Sequence, residues 1–313
     1  MSAIDRNPKE LYDERHQRLQ DAIALKETDR AVSVFYSMFW YAKYGGVTCQ
    51  DTMYDYGMLS DIVRRILGEF QPDCFSLPHI NIALGPTMEA MDYKQLEWPG
   101  HGTAPNVSYQ FLDKEYMSAD EYEDYIFDPT GFYLSKYLPR ISGVCEGFAK
   151  LPDFPGNYYI QSVLGTRTFS NPAVVESFQA MSKAGEAMQS MLRQAMNFAQ
   201  EMAEAGFPLV QGAAAISPFD YFADYFRGSK GAMLDMYRNG DQFLEAMDKA
   251  AVFIVRAAVA QARNHPCKIV FIPIHWAFDG FMGEEHFKKF FWPPFRKVIL
   301  GLIEAGLNPM LLW

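Results

Sequence analysis

Reactive side chains gather most densely just after the apolar run Lys268-Ile269-Val270-Phe271-Ile272-Pro273-Ile274, where His275, Trp276 and Asp279 follow one another closely. An imidazole at the end of a buried strand can donate or accept a proton, or bind a metal, when a carboxylate holds its other ring nitrogen. His275 is therefore read as an acid–base or ligand residue and Asp279 as its orienting partner, with a half-buried histidine bonded to a loop carbonyl as the plainer alternative. A second apolar run, Phe207–Ala215, leads into Ser217-Pro218-Phe219-Asp220. There Ser217 and Asp220 offer polar contacts to a substrate, and Asp220 with Arg227 reads as a pocket charge pair or a structural salt bridge. His79 follows Cys74–Pro78, as a substrate contact or a turn histidine, and Trp40 and Tyr44 follow the run Ala31–Tyr36. Trp276 joins these two aromatics as a residue to enclose a ligand.

Other chemistries leave no mark. GxGxxG, Walker A, GxSxG and HExxH are all missing from the sequence. Cys49, Cys74, Cys145 and Cys267 are scattered without CxxC spacing, which reads as reduced core thiols rather than a disulfide framework.

These residues need elements to hold them. Asn7-Pro8 opens a helix running to about Leu25, and Ala31–Tyr36 is the first strand candidate. Asp51–Glu69 reads as a helix and Asp73–Leu77 as a strand, interrupted by Pro78 and His79. Val107–Phe111 reads as a short strand, and Ser118–Glu121 as a capping box. Pro139, Pro152 and Pro155 mark loops, and a helix follows from Asn171-Pro172 to Ala205, with its methionines read as core. Strands at Leu209–Ala214, Ile269–Ile274 and Met310–Trp313, with an amphipathic helix over Glu284–Ala305, complete an alternating β/α order. Such folds carry their chemistry at the carboxyl ends of parallel strands. The expectation is one α/β domain over residues 1–313, its barrel starting at residue 31. Ending in a strand, the chain reads as incomplete at its C-terminus.

Hydrophobic residues make up 49% and charged residues 21%, which suits a folded enzyme and not a disordered chain. A net charge of −10 supplies no basic surface for a nucleic-acid partner. The 15% aromatic content reads as a large core or an aromatic-lined pocket. The N-terminus is charged and helical rather than a signal peptide, and no run reaches bilayer length, so a cytoplasmic location without membrane contact is expected.

Three stretches resemble the uroporphyrinogen decarboxylase superfamily of (β/α)8 barrels, which includes corrinoid-linked methyltransferases. Glu14-Arg15-His16-Gln17-Arg18-Leu19 through Asp29-Arg30-Ala31-Val32 is similar to that family's opening segment. Ser217-Pro218-Phe219-Asp220 with Arg227-Gly228 is similar to its "PF" strand end and the following "RG". Glu284–Phe287, then Phe291-Trp292-Pro293-Pro294 and Val298-Ile299, is similar to the helix after its fifth strand. The resemblance implies a TIM-type (β/α)8 barrel lacking its last two units, with the site at the carboxyl-end mouth.

Departures from the pattern narrow the activity. Tyr36–Tyr44 stands where the decarboxylases carry an arginine-rich segment for substrate propionates, and one lysine does not replace bidentate arginines. Leu77 stands where their strand-end Asp faces the pyrrole nitrogens. What remains implies methyl transfer involving a corrinoid or thiol acceptor, with decarboxylation of uroporphyrinogen or a smaller aromatic carboxylate as the alternative. A non-catalytic barrel that binds a ligand or corrinoid protein is the third reading. In the methyltransferase branch zinc sits on an HxC pair after the sixth strand, a place where Leu311-Leu312-Trp313 shows no ligand. Zinc and a corrinoid substrate go with methyl transfer and no cofactor with decarboxylation. The expected partners are a small-molecule substrate, a corrinoid protein and, in a homodimer, a second copy of the chain.

Overall fold

The computed structural model describes residues 7–152 and 158–312. Pro155 and Trp313, placed above in a loop and a strand, lie outside the described residues. The fold is mixed α/β and predominantly helical. Its strands are β1 (Val34–Phe35), β2 (Cys74–Phe75), β3 (Leu96–Pro99), β4 (Gly102–Thr103), β5 (Gln110–Phe111), β6 (Ala213–Ala214), β7 (Ile269–Pro273) and β8 (Asn308–Leu312). Among the described residues these form small sheets and no closed barrel. The chain groups into two compact units: residues 1–91, 96–110 and 182–210, and residues 92–95, 111–181 and 211–313.

In the first unit, the Pro8–Ile23 helix starts where Asn7 accepts a hydrogen bond from the Lys9 amide and Pro8 takes the first turn. It buries Leu11 and Leu19, and also Arg15 and Arg18. Those arginines are covered because they have partners. Arg18 Nη1 lies 2.6 Å from Asp73 Oδ1, and Arg15 donates to the Gly206 carbonyl at 2.7 Å. Arg30 grips both oxygens of Asp73, and Ser33 donates to it from its amide and hydroxyl. Burial would raise the Asp73 carboxyl, but the hydrogen bonds from Arg30 and Ser33 outweigh it and hold the group below the usual carboxylate range. Asp73 thus fixes the entry to β2, which runs parallel to β1 with Val34 opposite Cys74. Leu209 makes a further parallel bridge to Phe75.

The helix expected over Asp51–Glu69 is split at Asp55, which ends Cys49–Tyr54 and caps Tyr56–Phe70 through the Met58 amide. Leu59, Ile62, Val63, Ile66 and Leu67 form the buried stripe of the second piece. The 182–204 part of the Pro172–Glu204 helix buries Met191 and Met202, whereas Met196 is half exposed.

The second unit is organised on β6, β7 and β8, all parallel, with Ala213 opposite Val270 and Val270 opposite Pro309. Gly212 is needed because a Cβ there would meet the Cys267 carbonyl oxygen at 2.0 Å, so the two backbones approach too closely for any side chain. Helices Pro218–Tyr225, Gly240–Ala262 and Trp292–Glu304 pack on the sheet and one another. Phe219, Phe222, Phe226, Phe243, Phe290 and Phe291 are fully buried among them, so this unit's aromatic content is largely core. Among the described residues no helix is long and apolar enough to cross a membrane.

Candidate functional site

Two adjacent parallel strands of the second unit end in polar residues. After β6 the chain turns at Ser217, whose hydroxyl accepts from the Asp220 amide at 2.9 Å and caps the Pro218–Tyr225 helix. Its hydroxyl is therefore engaged in the cap, not held out for substrate as the sequence suggested. Pro218 sets the first turn, and the helix carries Asp220 and Asp224 four residues apart, on one face.

After β7, the chain passes over that face. Asp220 accepts the backbone amides of His275 at 3.2 Å and Trp276 at 3.1 Å, which anchors the loop on the helix. Asp224 holds the side chains of the same two residues. Its Oδ2 lies 2.6 Å from His275 Nδ1, and its Oδ1 accepts from the Trp276 indole N–H at 2.6 Å. The orienting carboxylate of His275 is thus Asp224 and not Asp279, which is exposed in the turn that follows.

Asp220 is fully buried, and burial pushes its pKa up to about 6; the His275 amide opposes the rise, and the Asp224 charge reinforces it. His275 is raised above the ordinary imidazole value, first by its hydrogen bond to Asp224 and then by that group's charge, against the effect of burial. Its side chain remains 44% exposed. With Nδ1 turned to Asp224, Nε2 is the nitrogen left to meet a substrate. The arrangement favours the charged form of His275 over that of a free imidazole and leaves Nε2 to exchange a proton with a substrate.

Other expected site residues have different roles. Arg227 does not pair with Asp220; it is buried against Asp235 at 2.6 Å, with Glu115 at 2.9 Å and the Met117 carbonyl also accepting from it. That pair fastens the Gly228–Arg238 helix and also engages the Tyr122 hydroxyl through Asp235.

Trp40, Tyr44 and His79 belong to the first unit. Trp40 and Tyr44 pack with each other and with Phe70, and the Tyr44 hydroxyl bonds Glu69, so both rings lie on a helix surface. His79 is fully buried in the Pro78–Ile82 turn. Its Nε2 lies 3.0 Å from Ser60 Oγ and its ring sits against Phe198, while Nδ1 has no hydrogen-bond partner. Burial lowers its pKa to about 4, so the ring is neutral at ordinary pH.

Sequence reading missed Asp224. The signal was present in Asp220-Tyr221-Phe222-Ala223-Asp224, because two carboxylates at i and i+4 next to a strand end share one helix face. For metal binding, no group of three His, Cys, Asp or Glu side chains is disposed to hold an ion among the described residues. No protein-family model, curated protein or solved structure matches this chain.

Proposed function

We propose that the chain is a divergent enzyme of the uroporphyrinogen decarboxylase superfamily, built on that family's (β/α)8 plan and acting in methyl transfer from a corrinoid substrate to a thiol. The observation that carries this reading is the Asp224–His275 pair at the carboxyl end of β7, with Asp220 beneath it. In this role the neutral form of His275 accepts the thiol proton at Nε2, the thiolate sulfur attacks the methyl carbon, and the carbon–cobalt bond of the corrinoid substrate breaks with its electron pair left on the departing corrinoid, while Asp224 stabilises the imidazolium. The parallel β6–β7–β8 order and the parallel β1–β2 pair support the barrel plan. Two carboxylates at the site disfavour a substrate bearing several carboxylates of its own, which weighs against uroporphyrinogen. The described donor set does not fit zinc, and no step is assigned to a metal.

Decarboxylation of a smaller aromatic carboxylate is the second reading, favoured by one observation: the raised pKa of His275 suits a proton donor to the carbon left after loss of CO2. Incubation with methylcobalamin and a panel of small thiols tests the first reading. Protein-dependent demethylation that disappears in His275→Gln is the expected result. Efficient conversion of uroporphyrinogen to coproporphyrinogen, with methylcobalamin left intact, would overturn it.

A further inference from the structure

A cavity in the same unit lies on the flank of the Pro218–Tyr225 helix. It has a volume of about 310 Å³ and is lined by Tyr125, Thr130, Tyr133, Tyr221, Phe226 and Phe253 among others. Small-molecule sites occupy this size range and combine apolar walls with a few convergent polar groups. No charged side chain lines the cavity. The polar atoms are hydroxyls, and those of Tyr125 and Tyr221 share a hydrogen bond. One bond between two hydroxyls uses one of their two hydrogens, so the pair keeps a donor as well as spare lone pairs.

The backbone supplies an independent observation. Tyr133 opens a π-helical turn, Tyr133–Tyr137, in which each amide reaches one residue further back than in an α-helix. Such turns are uncommon and recur at functional sites, because they swing a side chain out of the regular helical direction. Here the turn begins at the residue that walls the cavity. Phe253 and Tyr133 stay partly exposed, so the cavity is open to solvent at one side.

We propose that this cavity is a binding site for a small, neutral, ring-sized molecule bearing one hydrogen-bonding group, a substituted phenol being the simplest example. The rings of Phe226 and Phe253 cover the apolar body of the ligand, and the tyrosine hydroxyls meet its polar end. A charged ligand finds no counter-ion there. Asp220 and Asp224 stand on the same helix as Tyr221, but this site does not depend on the activity proposed for them.

The test is ligand-observed fluorine NMR on the full chain, with 4-fluorophenol and fluorobenzene as probes. Saturable binding of 4-fluorophenol with a dissociation constant on the order of 1 mM or tighter is expected for so few atoms. Tyr133→Phe/Tyr221→Phe should weaken 4-fluorophenol at least about five-fold and leave fluorobenzene nearly unchanged, since only the polar anchor is removed. Ala257→Trp and Thr130→Trp, at two exposed lining positions, should each abolish binding of both probes while circular dichroism stays native. No saturable binding by either probe, or binding that survives both tryptophan variants, overturns the proposal. So does a concentration-dependent dimer that the tryptophan variants dissociate, because the cavity would then be covered by a second copy.

Discussion

His79 and His275 both follow a parallel strand within a few residues of its carboxyl end, yet their surroundings give them opposite properties. His79 is wholly enclosed, faces Ser60 and Phe198, and has no carboxylate beside it, so burial removes its charge. His275 is half exposed and bonded to Asp224, so its charged form is favoured. Strand-end position alone therefore does not make a histidine reactive. What distinguishes the second is a carboxylate on a neighbouring element that meets one ring nitrogen and leaves the other accessible. The same contrast separates Asp73 from Asp220. Asp73, just before β2, is satisfied by two arginines and held ionised, whereas Asp220, after β6, is met mainly by backbone amides and is raised.

The largest effect is expected from His275→Gln. Loss of a positioned acid–base group should lower turnover by roughly 10²–10⁴-fold. Stability should change by about 1 kcal/mol or less, because the ring is half exposed. His79→Gln should do the reverse, destabilising the fold and leaving turnover within about two-fold of wild type. Steady-state rates and urea unfolding on both variants decide this. A larger turnover loss at His79 than at His275 would break the comparison.

Asp73→Asn comes next. It leaves buried Arg18 without one of its anions and half-exposed Arg30 without its partner, and removing one member of a buried ion pair costs about 3–5 kcal/mol. A denaturation midpoint unchanged from wild type would show that the arginines find other acceptors.

Sequence reading was accurate where the signal lies in one contiguous segment. The β7 run was expected over Ile269–Ile274 and is found over Ile269–Pro273, with His275 just beyond it. The 172–204 helix was also legible, since Asn171-Pro172 and Gly206 bracket a long periodic segment. Partners from other segments were not. Asp224 is 51 residues from His275. Arg227 was paired with Asp220 for their proximity in sequence, but Asp235, two helical turns along, is its partner. Several expected strands are shorter than expected, as Asp73–Leu77 shrinks to Cys74–Phe75 because Pro78 and His79 start a helical turn, whereas β8 begins two residues earlier than expected and β3 and β4 were not expected. Nothing in a linear sequence ranks such a turn against one more pair of ladder hydrogen bonds.

A smaller effect concerns pH. His79 has a folded pKa of about 4, below the unfolded value near 6.5, so its contribution is complete above the unfolded value and is lost as pH falls toward the folded one. From pH 7 to pH 5 this amounts to about 2 kcal/mol of stability. His275 has the opposite sign: its raised folded pKa gives a contribution present below about 6.5 and lost as pH rises through the folded value. Unfolding free energies at the two pH values, for wild type and His79→Gln, should show the acid-side loss shrinking in the variant. An undiminished loss would assign it to other groups.

The smallest effect tests how Asp224 serves His275. Its two oxygens are divided between the Trp276 indole and the His275 ring, at 2.6 Å each. Trp276→Phe removes the indole donor while keeping most of the aromatic volume. A carboxylate relieved of one donor is more basic toward the other, so the His275 pKa, followed by ring-proton NMR, should rise by up to about one unit. If the pKa falls toward the ordinary imidazole value instead, the indole bond serves to hold Asp224 in place, and Trp276 acts on His275 by positioning the carboxylate rather than by sharing its charge.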